Sequence, residues 1–233
     1  MTYVMFHLRT KKMPTQRTLL IAAILIIIIA ASSLEIWVWI NQPTGTNTST
    51  TGEIREYNGI QLDSISAIRD EAIAGTQYIN ITTYRLEIAG LVNHEVSYTY
   101  DQIINNHTHY QKVDTLHCVE GWEATVLWEG IRLKDLLEEA GYNQTAQVLI
   151  FYAQDGYTTS LSLSYIVDNN IMIGYKINGL TLPAREGYPF QLVAVGKLGY
   201  KWIKWITKIE VSNNINYRGY WESYGYDNNA NYP

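Results

Sequence analysis

The sequence predicts an α+β domain, rich in strands that assemble into mixed sheets and poor in helices. Apolar and polar residues alternate with a period of two at Tyr84-Leu86-Ile88 and at Ile203-Trp205-Thr207-Ile209-Val211. One segment, Lys134 to Ala140, carries a helical period, and Asn178-Gly179 between apolar residues has the composition of a tight hairpin turn.

Taken in chain order, Arg9, Lys11, Lys12 and Arg17 precede an apolar and small-residue run from Leu19 to Leu34, which resumes after Glu35 through Ile36 to Ile40. As a helix, residues 18–40 would reach about 35 Å at about 1.5 Å per residue, enough to cross a bilayer core of about 30 Å. The cations favour a cytoplasmic N-terminus, and Trp37 and Trp39 suit the far interface. Residues 1–17 are therefore expected on the cytoplasmic side, 18–40 as a single-pass transmembrane helix, and the remainder outside the cytoplasm. A cleaved signal is the other reading, since Ala30, Ala31 and Ser32 offer a small-residue cleavage site. Residues 41–56, which open with a stretch rich in Thr, Ser, Gly and Asn, read as a flexible linker, and 57–233 as the folded domain.

Composition excludes some functions. A chain that is 47% hydrophobic and 17% charged can bury a core, and its charge of -5 argues against nucleic acid as a partner. A single cysteine excludes an intramolecular disulfide framework. Glycosylation sequons at Asn47, Asn80, Asn106 and Asn143 agree with an extracytoplasmic surface and mark a candidate glycoprotein.

Within the domain, Tyr84 to Ile88 before Gly90 reads as a half-buried strand. Leu133, Leu136, Leu137 and Ala140 fall at i, i+3, i+4 and i+7 before Gly141, giving a short amphipathic helix through Lys134 to Ala140. Val148 to Ala153 and Gln191 to Val195 read as strands, and another is expected from Ile203 onward.

The chemistry concentrates at Leu116-His117-Cys118-Val119-Glu120-Gly121-Trp122. A lone cysteine outside any helical pattern, between His and Glu, is either a thiolate ligand or nucleophile, or a buried and inert thiol. Residue types alone leave both open. His107 and His109 lack the spacing of a structural zinc site, and no dinucleotide, phosphate-loop or nucleophile-elbow fingerprint is present.

Cys118-Val119-Glu120-Gly121-Trp122, followed by Trp128-Glu129-Gly130-Ile131-Arg132-Leu133 and a helix, resembles the metal-binding segment of the sulfite oxidase superfamily. The Cys-x-Glu form is similar to the periplasmic methionine sulfoxide reductase branch. Asp155-Gly156-Tyr157, Asn178-Gly179 with Leu182-Pro183, and Glu186-Gly187-Tyr188-Pro189 follow the family's later order. Gly199-Tyr200-Lys201-Trp202-Ile203-Lys204-Trp205 and the closing Tyr224-Gly225-Tyr226 complete it, so the resemblance runs from about Tyr84 onward.

This resemblance implies a molybdopterin-binding domain of sulfite oxidase type. It implies a molybdenum-molybdopterin cofactor, with tungsten as the other metal of that chemistry, and Cys118 as the protein's ligand to the metal. Gly199, Tyr200, Lys201, Trp202, Ile203 and Lys204 are expected to hold the cofactor, through a glycine-bearing turn and two cations suited to its phosphate. Glu120 is a further catalytic candidate. The implied reaction is oxygen-atom transfer on a small sulfur compound, sulfite or a sulfoxide, with electrons passing to or from a redox partner such as a cytochrome or a quinone-linked membrane protein.

Two positions depart from the family pattern. Gln191 stands where an Arg is usual and Glu186 where His or Asn is frequent, which removes a cation and adds an anion. Lys11-Lys12 is a degenerate form of the twin-arginine pair that family members use for folded export. The alternative reading is a surface binding or electron-transfer module that keeps the fold without the chemistry.

Overall fold

The computed structural model describes residues 52–232; the expected membrane segment at 18–40 and the sequon at Asn47 lie outside them. No helix among the described residues is long and apolar enough to cross a membrane.

A small hairpin of β1 (Glu56–Tyr57) and β2 (Ile60–Gln61) leads into two five-stranded sheets. Strands β3 (Leu86–Gly90), β4 (Val96–Tyr98), β7 (Val148–Ala153), β8 (Thr158–Ser162) and β12 (Ile206–Ser212) form one sheet, in the order β4-β3-β12-β7-β8. The β3–β12 pair is parallel and its other pairs are antiparallel, so the sheet is mixed as expected. Strand β7 is apolar throughout and nearly all buried, as a strand covered on both faces must be.

The second sheet contains β5 (Tyr110–His117), β6 (Glu123–Arg132), β9 (Met172–Ile177), β10 (Leu180–Thr181) and β11 (Gln191–Val193). Its order is β10-β9-β6-β5, with β11 also on β9. The β9–β10 connection is the expected Asn-Gly turn: Asn178 and Gly179 take φ of 46° and 80°, and Ile177 pairs with Leu180. Gly130 and Gly174 let β6 and β9 approach. A Cβ on Gly130 would overlap the Ile173 carbonyl, and one on Gly174 would lie 2.9 Å from the Trp128 ring.

Among the described residues, four α-helices complete the fold: α1 (Tyr100–Asn106), α2 (Leu133–Ala140), α3 (Leu163–Asp168) and α4 (Tyr220–Ser223). Helix α2 is the expected amphipathic one, extended by one residue at its start; it buries Leu133, Leu136, Leu137 and Ala140 and stops at Gly141 with φ 66°. The period reading passed over α1, which a Thr99–Gln102 capping box initiates.

Two expected strands are shorter than their alternation suggested. The Gln191 strand ends at Val193, and the Ile203 strand begins only at Ile206. The reason is local: Gly199–Lys201 form a 3-10 turn, and Trp205 sits at φ 51°, which interrupts an extended run before Ile206. Glu53, inside the stretch read as linker, is buried and accepts from the Ile65 amide at 2.6 Å and the Asn178 amide at 2.9 Å.

Candidate active site

Strand β5 delivers its last residue, His117, into a parallel bridge with Leu198, and the chain then turns. The Cys118 amide donates to the Trp122 carbonyl at 2.9 Å and the Gly121 amide to the Cys118 carbonyl at 3.1 Å, with Gly121 at φ 84°. At Gly199 the second motif comes into ordinary packing contact with the first. A Cβ there would meet the His117 carbonyl at 3.4 Å and the Cys118 Cα at 3.5 Å. The turn at Gly199–Lys201 therefore packs directly against the cysteine turn.

Between them opens a cleft of about 970 Å³, counting its open mouth. Cys118, Val119, Glu120 and Trp122 form one wall, and Gly199, Tyr200, Trp202, Ile203, Lys204 and Trp205 another. Asp155, Tyr157 and Gln191 line the floor region, Trp221 and Tyr226 come from the closing segment, and residues from Ile68 to Ile73 supply a further wall. The Tyr157 hydroxyl donates to the Tyr200 carbonyl at 2.5 Å, tying the floor to the turn.

Cys118 is partly exposed and lines this space. Burial raises its pKa above the usual thiol value, and the charges of Glu71 and Glu120 add to the rise; backbone amides of Glu120 and Val119 oppose it. On these groups alone the sulfur stays a thiol at neutral pH. A cation bound at the sulfur is what would make it a thiolate.

The two lysines part company. Lys204 lines the cleft, and its ammonium donates to the Arg185 carbonyl at 2.8 Å and approaches Asp70 at 3.4 Å and Glu186 at 3.7 Å. Lys201, expected to face the same ligand, is fully buried and ion-pairs with Glu222 behind the wall. The 3-10 turn causes the difference, because it swings residue 201 away from the open side. Burial lowers the Lys201 pKa, and Glu222 works against that shift.

The family departures also take definite places. Glu186 is not a bare anion on the cleft; it is buried and paired with Arg185 at 2.8 Å and with Lys204. Burial nevertheless raises its pKa, against the pull of Lys204 and Arg185. Gln191 is 2% exposed, gives its amide N–H to the Trp202 carbonyl at 3.3 Å, and leaves its Oε1 without a partner. The Trp122 Nε1 is likewise buried and unpartnered.

A pterin cofactor fits these residues. Its sheltered part, about 190 Å³, is smaller than an ordinary ligand pocket of about 300–1,000 Å³, so a cofactor would extend into the open mouth. It offers a sulfur, an unpaired donor on Trp122 and an unpaired acceptor on Gln191, complementary to a heterocycle that carries both kinds of group. Among the described residues, the amides of Ile203 and Lys204 have no acceptor, and Arg69 and Lys204 bring positive charge.

Sequence reasoning missed Trp122 as a lining residue, although it stands inside the cysteine motif. It also missed the wall from Ile68 to Ile73, which carries no motif or period. His107 and His109 do not join the cleft: His107 bonds Glu139 at 3.0 Å and His109 bonds Tyr175 at 3.0 Å. No cluster of three or more His, Cys, Asp or Glu side chains able to hold a metal occurs among the described residues.

Comparison with known proteins bears on the same segments. Residues 73–221 match the family described as oxidoreductase molybdopterin binding domain. An uncharacterised oxidoreductase of Bacillus subtilis, YuiH, is 30% identical over 150 residues, 64% of this chain and 75% of that protein. A putative protein-methionine-sulfoxide reductase subunit of Azospira oryzae, YedZ1, is 33% identical over 149 residues, 64% of this chain and 56% of its own length. The crystal structure of the sulfane dehydrogenase SoxCD from Paracoccus pantotrophus superposes with a TM-score of 0.57 at 22% identity, covering 60% of this chain and 41% of that one, and shares the fold. Cysteine turn, glycine turn and cleft all fall within or beside the matched span, and this chain belongs to the oxidoreductase molybdopterin-binding family, of the sulfite oxidase type.

Proposed function

We propose that this protein uses a molybdenum-molybdopterin cofactor, ligated by Cys118, to reduce a small neutral sulfoxide to its thioether. When bound, the metal supplies two-electron oxygen-atom-transfer chemistry. The observation that carries the reading is the partly exposed thiol of Cys118 on the wall of the cleft that both motifs build.

The chain's own residues bind and orient. Cys118 provides the thiolate, and the amides at Ile203 and Lys204, with Lys204 and Arg69, hold the anionic end of the cofactor. Gly199 and Tyr200 shape that turn, and Trp202 backs it. Trp122 and Gln191 meet the heterocycle through their unpartnered atoms. Trp221, Tyr226 and Tyr157 form an aromatic wall that excludes water from the substrate, and Glu120, exposed beside the sulfur, passes protons in from solvent.

A sulfoxide is favoured over sulfite by charge. Glu71, Glu120 and Asp155 line the cleft against Arg69 and Lys204, and the cofactor's anionic end occupies those two cations. An oxyanion entering that space meets surplus negative charge, whereas a neutral sulfoxide does not. The name of the Azospira relative points the same way.

The proposal extends to location. Residues 18–40 anchor the chain in the cell membrane and hold the domain outside the cytoplasm, where a membrane-bound cytochrome or quinone-linked protein supplies electrons. Support comes from the apolar run, its flanking cations and Trp pair, and from exposed sequons at Asn80, Asn106 and Asn143.

The test is expression of the full chain in a host that makes the cofactor, followed by metal analysis and turnover with sulfoxides and with sulfite. Near-stoichiometric molybdenum and preferred sulfoxide turnover are expected. Faster turnover of sulfite would reverse the substrate assignment, and a protein that takes up neither molybdenum nor tungsten would favour the cofactor-free module. For location, carbonate-resistant membrane association and external protease access to the domain are expected; a freely soluble cytoplasmic protein would contradict it.

A further inference from the structure

We propose that Glu222 is a positioning residue: through Lys201 it fastens the closing aromatic segment to the turn beside Cys118 and so sets the width of the cleft. The inference rests on reading that cleft as the catalytic one.

Lys201 and Glu222 are both fully buried and ion-paired. The Lys201 ammonium also donates to the Ser160 carbonyl at 2.9 Å and reaches Asn228 Oδ1 at 3.4 Å. The same carboxylate oxygen accepts from the Thr159 hydroxyl at 2.5 Å, while Oε2 has no hydrogen-bond partner. Arg218 donates to the Glu222 carbonyl at 3.2 Å, and a Cβ on Gly219 would lie 2.6 Å from Oε2, so the start of α4 is pressed onto this carboxylate.

The neighbours of the pair give it a role. Tyr200 and Trp202 flank Lys201, and Trp221 precedes Glu222; all three line the cleft, as does Tyr226. Ring centroids of Tyr200 and Tyr226 are 5.2 Å apart, and those of Trp221 and Tyr226 5.4 Å, so the aromatic wall is continuous across the two segments. The ion pair is the fastening behind that wall.

Two charges withdrawn from water are a poor way to gain stability, since a well-packed apolar pair of similar volume holds a fold as well or better. What the charges add is direction. An ammonium with three acceptors from β8 and the closing segment admits one arrangement of the wall, whereas apolar side chains tolerate several.

The test uses the full chain with Lys201→Met and Glu222→Leu combined, beside Glu222→Gln alone. Cys118 is the chain's single cysteine, so its reaction rate with a soluble thiol reagent, measured on cofactor-free protein, reports how open the cleft is. The double variant is expected to melt at or above the parent temperature while Cys118 reacts about tenfold faster, as a shifted open population requires. In cofactor-loaded protein, the KM for an aryl methyl sulfoxide should rise about tenfold, and that for dimethyl sulfoxide by less. Glu222→Gln, which strands the ammonium, should raise the thiol rate as well if it folds.

A double variant with parent thiol rate and parent KM values overturns the proposal, because the pair would then serve stability alone. A double variant that fails to fold overturns it too, since the pair would be a requirement of the fold. If loaded parent protein turns over no sulfur substrate while the thiol rate still responds, the catalytic reading fails and the positioning of the wall survives.

Discussion

The amide of Cys118 and the carbonyl of Trp122 share a hydrogen bond of 2.9 Å, and this turn sets the thiol and the indole on the same cleft wall. The indole Nε1 has no acceptor there. Trp122→Phe removes that donor and keeps most of the ring. Stability should hold or rise by up to about 1 kcal/mol, because a buried unpaired donor costs about that much. Cofactor retention through gel filtration, read as pterin fluorescence after oxidation, should fall. Undiminished retention would separate Trp122 from the ligand.

Gly130 sits where the β6–β9 register shifts, and a side chain there would run into the Ile173 carbonyl. Gly130→Ala should therefore cost about 1–3 kcal/mol by forcing two strands apart. Urea unfolding measures it directly. A variant as stable as the parent would mean that β6 and β9 do not pack as closely as described.

Glu129 predicts a pH dependence. Burial alone would raise its pKa, but hydrogen bonds from Tyr175, Lys176 and Gln111 outweigh burial and bring it below the ordinary 4.5. The unfolded chain thus takes up this proton first as the solution is acidified. The stabilisation is complete above 4.5 and is lost as pH falls through the lower folded value. Glu129→Gln should be less stable than the parent at neutral pH, and the gap should narrow by about pH 3. Urea midpoints at the two conditions check this; a gap that widens in acid would contradict the sign.

Much of the site was legible because its key pieces are short turns whose requirements are written locally. Cys118 followed by Gly121, which takes φ 84°, and Trp122, and the Gly199-Tyr200 pair, are turn and aromatic signals readable without tertiary information. Helix α2 and strand β7 were legible for the same reason, since their periods are strong.

What stayed hidden depends on contacts distant in sequence. The wall from Ile68 to Ile73 is irregular chain, held by Lys204 on Asp70 and by Arg185 on the Ile65 and Ile68 carbonyls, and no local pattern announces it. Lys201 and Lys204 look equivalent as letters; only the 3-10 turn sends one to Glu222 and leaves the other on the cleft. Strand alternation carried through Ile203 and Trp205 misled for the same reason, because a twofold period is indifferent to a residue at positive φ.

The proposed chemistry depends on Cys118 serving as a sulfur ligand to the metal, so the most direct test looks at the metal itself. Molybdenum X-ray absorption should be recorded on loaded parent protein and on Cys118→Ser, with circular dichroism to verify that the variant is folded. The account predicts one sulfur fewer around the metal in the variant, together with loss of sulfoxide turnover. An unchanged sulfur count in a folded, metal-loaded variant would contradict it.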